Sequence, residues 1–147
     1  MKKERRFPKW LLASAVVALC IVGVLAAGFG VYVSGAMAAS YAAGHADGLE
    51  GLLLLAAYST EDLSGTDLRA LSLYGSEDGV LNREKYEECR TNLPEDTQEA
   101  VIEGGCHAYF GMYGEQEGDK TALVSPEEQM EETARLAAEW MKKGKKG

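Results

Sequence analysis

The sequence predicts an α/β domain of about three parallel strands with flanking helices, placed behind one N-terminal transmembrane helix. Three runs of strand length, Leu52–Ala57, Ala70–Tyr74 and Ala100–Glu103, are separated by segments long enough for crossovers. Strand, helix, strand at such spacings implies parallel pairing through right-handed connections. The membrane segment follows from a third observation: no side chain from Trp10 to Ala46 is charged when His45 is neutral.

Four regions result: a basic leader at 1–9, a signal-anchor at 10–34, the domain at 35–143 and a basic tail at 144–147. Leu11 to Val33 supplies the roughly 20 apolar residues that span a bilayer. Ala36-Met37-Ala38 has the small residues read by a signal peptidase, but the apolar stretch exceeds an h-region of about 7 to 15 residues, which favours an uncleaved anchor. Five Lys/Arg precede the span and none follows it until Arg69. The N-terminus is therefore expected in the cytoplasm and the rest outside, with Trp10 and Tyr32 at the headgroup layers. Small-xxx-small pairs such as Gly23/Ala27 and Ala26/Gly30 would let another helix approach.

Each element of the domain has a local reason. Gly35–Ala46 is a small-residue helix ended near Gly44 or Gly48. Leu52–Ala57 is continuously apolar, as in a parallel strand buried on both faces. Leu71 and Leu73 alternate with Ser72 in the second strand, and Asn82 caps a helix running to about Thr91, before Pro94. The third strand, Ala100–Glu103, leads into an aromatic loop from His107 to Tyr113. The last helix has Ser125 as cap, Pro126 at its first position, Glu127 and Glu128 in the first turn, and Lys142 and Lys143 in the last. Met130, Ala134, Ala137 and Met141 share the face expected to pack on the sheet.

Between Ser40 and Met141 there are 22 Asp/Glu (all 23 less Glu4) against six Lys/Arg, a balance of -16. Such a surface repels nucleic-acid phosphates and anionic lipid heads, and it keeps a small domain soluble. No nucleic-acid partner is expected.

The chemistry concentrates after the second and third strands, where Asp78 and His107 each follow a strand. A carboxylate and an imidazole presented in succession at strand ends suit proton transfer. Metal sites fit less well. In a calcium-loop register with Asp78 and Gly79 at positions five and six, Tyr74 and Lys85 fall where carboxylates are needed. His45, Asp47 and Glu50 do not share a helix face, so no zinc site is expected, and no cofactor is either. Cys89 and Cys106 lie outside the span, but the helix bearing Cys89 runs away from the loop bearing Cys106, which argues against a disulfide. Neighbouring residues such as Cys106 and His107 point apart unless the loop turns them together, which disfavours Cys106 as a nucleophile.

The stretches GAMAASYAAGHADGLEGLLLLAAYS, LSLYGSEDGVL and VIEGGCHAYFGMYG, with the closing helix, resemble the C-terminal half of an α/β-hydrolase, close to the dienelactone-hydrolase-like branch anchored in the membranes of Gram-positive bacteria. The resemblance covers about Gly35 to Trp140 and implies a partial α/β-hydrolase fold at the outer face of a bacterial cytoplasmic membrane. It implies that Asp78 is the acid and His107 the base of a Ser-Asp-His triad acting on carboxylic esters or related acyl substrates. The Asp-then-His order agrees with that family.

The departure is upstream. Where the family has a strand leading into Gly-x-Ser-x-Gly, this chain has Gly30-Val31-Tyr32-Val33-Ser34-Gly35, with Tyr32 at the nucleophile position and Ser34 at a glycine position. The expectation is a hydrolase-like chain without nucleophile or oxyanion hole, inactive by itself and inclined to self-associate through an uncovered strand. The alternative expectation is a non-enzymatic, membrane-anchored protein-binding domain.

Overall fold

The computed structural model describes residues 34–111 and 114–144. The span expected at Leu11 to Val33 lies outside these residues, and so does Tyr32. No described helix is long and apolar enough to cross a membrane.

The described strands, β1 (Gly51–Leu55), β2 (Arg69–Gly75) and β3 (Asp96–Ile102), form a parallel sheet in the order β1-β2-β3. Three helices accompany it: α1 (Ser34–His45), α2 (Arg83–Glu88) and α3 (Pro126–Lys142). Alternation of side chains along β1 divides its leucines between two apolar layers. Leu52 and Leu54 meet Ala39 and Ala42 of α1, together with Leu63, Leu68 and Leu93. Leu53 and Leu55 pack on the opposite face with Leu71, Leu73, Leu136 and Trp140. Ser72 points to the α1 side, where its hydroxyl shares a 2.8 Å hydrogen bond with the Tyr86 hydroxyl of α2. The buried Ser72 hydroxyl of β2 is thereby satisfied, and the sheet carries helices on both faces.

Several boundaries differ from expectation for identifiable reasons. β1 stops at Leu55 rather than Ala57, because Ala56 adopts a φ of 49° in the left-handed region. Its leucines are not equally buried on both sides: Leu52 and Leu54 are buried, while Leu53 and Leu55 are half-buried. β3 begins at Asp96, well before Ala100, and ends at Ile102. Its first half, Asp-Thr-Gln-Glu, lies at the sheet edge, where polar side chains face water and the apolar signal disappears. α2 is capped by Asn82, which accepts from the Lys85 N–H at 3.0 Å. It tightens into a 3-10 turn at Cys89–Asn92 ahead of Pro94.

α3 has a full capping box: Ser125 accepts from the Glu128 N–H, and the Glu128 carboxylate accepts from the Ser125 N–H. Its buried face is only partly the expected one, with Ala137 shared. Gln129, Leu136, Ala137 and Trp140 turn inward, Ala134 is exposed and Met141 is 55% exposed. The helix is rotated by about one residue, about 100°, so that the large Trp140 ring is covered instead of Met141, with Met130 half-buried. Gly51 makes the room, since a Cβ there would lie 2.6 Å from the ring. Buried Arg69 donates to the Trp140 carbonyl at 2.8 Å, lies over the Trp140 ring and sits 3.3 Å from Asp96. It thus fastens the C-terminus of α3 to the beginnings of β2 and β3.

Candidate active site

β2 and β3 are parallel, so the loops that follow them emerge at the same end of the sheet. Gly75 lets these loops touch: a side chain there would strike the Gly105 carbonyl oxygen. The contact is held by Ser76 N–H to the Ile102 carbonyl (3.0 Å), Glu77 N–H to the Gly105 carbonyl (2.8 Å) and Gly104 N–H to the Ser76 hydroxyl (2.8 Å).

Within this frame the structure brings Asp78 and His107 together, with Asp78 Oδ2 2.9 Å from His107 Nδ1. The other carboxylate oxygen accepts the N–H groups of Val80 at 2.9 Å and Leu81 at 2.7 Å. The Asp78 side chain has 0% exposure and that of His107 12%, so the pair is sheltered while the imidazole keeps an opening to solvent. Because a carboxylate only accepts, Nδ1 carries the hydrogen and Nε2 is left with its lone pair. Nε2 has no hydrogen-bond partner among the described residues. Such an arrangement can accept a proton at Nε2 and stabilise the resulting imidazolium through the buried carboxylate.

Sequence reasoning missed two side chains that hold this loop cluster. Asp119 accepts from four backbone N–H groups: Gly79 (3.0 Å), Lys120 (3.1 Å) and His107 (3.2 Å) at Oδ1, and Ala108 (2.9 Å) at Oδ2. Burial opposes its ionisation, but the N–H groups of Gly79, Ala108 and His107 outweigh that and hold the carboxyl below its ordinary value. Gln129 of α3, with 0% exposure, accepts from the Cys106 N–H at 3.0 Å and donates to the Cys106 carbonyl at 2.8 Å. The only signal for Asp119 was a Gly-Asp pair in a polar loop; for Gln129 it was an amide on a helix that needed a buried face.

Cys106 is buried, and burial pushes its thiol pKa up, away from the thiolate a nucleophile needs. Cys89 and Cys106 are both free thiols. Ser34 opens α1, and among the residues whose side chains are described no serine, threonine or cysteine hydrogen-bonds to Nε2 of His107. His45 stacks on Tyr41 and bonds its carbonyl through Nδ1 at 2.9 Å. Among the described residues no group of three His, Cys, Asp or Glu side chains is placed to hold a metal ion.

A model of the alpha/beta hydrolase family matches residues 12–131, a range that contains both Asp78 and His107 as well as the apolar stretch before Ser34. No curated protein and no solved structure matches the chain.

Proposed function

The chain belongs to the alpha/beta hydrolase family, and from that premise we propose that Asp78 and His107 are the acid and base of a Ser-Asp-His triad whose nucleophile this chain lacks. The observation that carries the reading is the 2.9 Å contact between Asp78 Oδ2 and His107 Nδ1, at the carboxyl ends of adjacent parallel strands. In the complete reaction, His107 Nε2 would take the proton of an attacking serine and later return it to the leaving alkoxide, while Asp78 fixes the tautomer. The substrate class is a carboxylic ester or related acyl compound of the dienelactone-hydrolase-like kind. The apolar segment from Leu11 to Val33 anchors the protein in a bacterial cytoplasmic membrane, with the domain outside.

Because no Gly-x-Ser-x-Gly occurs in the sequence, this reading makes the chain inactive by itself. The full chain should hydrolyse an aryl ester no faster than buffer and resist a fluorophosphonate probe. Ester hydrolysis abolished by His107→Ala would overturn the inactivity and make Ser34 the first nucleophile to test. A reporter fused after Gly147 should be active only outside the cytoplasm, whereas a mature N-terminus at Ala39 would identify a cleaved signal.

A second reading, a non-enzymatic anchored domain that binds a protein partner or a second copy, draws support from the sheet edge. β1 pairs only with β2 among the described residues, and Met37 and Tyr41 of the neighbouring α1 are 63% and 58% exposed. Concentration-dependent association in sedimentation would favour the second copy, and a strict monomer would remove that form of the reading.

A further inference from the structure

Asp119 bonds to the backbone at two places that matter for one pair of side chains. It accepts from Gly79, the residue directly after Asp78, and from His107 itself and Ala108 beyond it. A single carboxylate therefore ties the loop carrying the acid to the loop carrying the base, from a position 40 residues beyond Gly79. Gly118, at a φ of 87°, sets the turn that aims it, and the Gly118 carbonyl lies where a side chain at Gly79 would be.

We propose that Asp119 is the positioning residue of the Asp78–His107 pair: it holds the two loop backbones at the separation that keeps His107 Nδ1 on Asp78. The proposal rests on the reading of those two side chains as acid and base. The four N–H groups it collects would otherwise need water or other acceptors, and an unrestrained His loop would let the imidazole rotate off the carboxylate. The depressed carboxyl pKa fits a group held as the anion by these donors. Asparagine cannot reproduce it, because its amide nitrogen would face an N–H donor instead of accepting from it.

The test uses the full chain in detergent, labelled with nitrogen-15, and reads the low-field proton of His107 Nδ1 together with the amide protection of β2 and β3. The parent should show the low-field signal and Asp78→Asn should lose it. If the parent lacks the signal, or Asp78→Asn keeps it, the acid-base reading fails and the positioning role falls with it. Given a normal parent, Asp119→Asn should accelerate exchange of the Nδ1 proton by about tenfold or more, equivalent to about 1.4 kcal/mol of lost restraint, with strand protection unchanged. Gly118→Ala, which strains the turn and keeps the carboxylate, should give a smaller change in the same direction. An unchanged signal in both variants, or loss of strand protection in both, would overturn the positioning role. The first result means the loops need no clamp, and the second means Asp119 serves the fold alone.

Discussion

Gln129 of α3 bonds at both ends of its amide to one residue's backbone, and with no exposed surface it is a direct target for substitution. Gln129→Leu keeps the volume but strands the Cys106 N–H and carbonyl in a buried place. It should lower unfolding free energy by about 2–5 kcal/mol, read from a urea midpoint at constant slope. Tyr86 gives a pH-dependent prediction. Burial raises its hydroxyl to about 12, opposed by the Ser72 hydrogen bond. The folded value lies above the ordinary one near 10, so the fold favours the neutral phenol. Stability from this group is complete below about pH 10 and is lost as pH rises toward 12. The urea midpoint should fall across that window, and Tyr86→Phe should flatten the fall while losing the Ser72 bond at neutral pH. Asp78 and His107 were legible because each is a polar residue directly after a strand-like run. Asp119 and Gln129 were not, because their partners are backbone groups that only folding delivers.

α3 shows how an element can be right in extent and wrong in orientation. Its cap, proline and terminal charges mark its ends locally, and the helix occupies Pro126–Lys142 as those signals require. The packed face depends on the partner surface. Small and flexible residues at 130, 134, 137 and 141 give a plausible stripe, but Gly51 and Arg69 create a seat for Trp140 that no helical pattern reveals. Trp140→Ala should therefore cost about 3–5 kcal/mol. Ala134→Glu and Met141→Lys should stay within about 0.5 kcal/mol. Thermal unfolding of the three variants distinguishes the two faces, since the expected stripe would predict the opposite ranking. β3 failed for the same kind of reason: its polar first half is a property of its place at the sheet edge, which the residues alone do not announce.

For the whole molecule, the parallel direction of the strands followed from connection length, and parallel pairing is what the sheet has, while the order β1-β2-β3 emerges only in the structure. What the described residues contain is one short sheet with an apolar layer on each side. Its β1 edge is where the family's nucleophile strand would pair, and the DNA encoding this chain should be read for a segment absent between Ser34 and Gly35 that carries Gly-x-Ser-x-Gly. Among the described residues, every hydrogen bond to Asp78, His107 or Asp119 comes from residues between Gly75 and Lys120. The hydrogen bonds that set the Asp78–His107 contact are thus local to the two strand-end loops and the Asp119 loop, while β1 and Gln129 support the strands and the loop from outside. The geometry of such a pair is a property of the folded loops, kept by folding itself whether or not a nucleophile stands beside it.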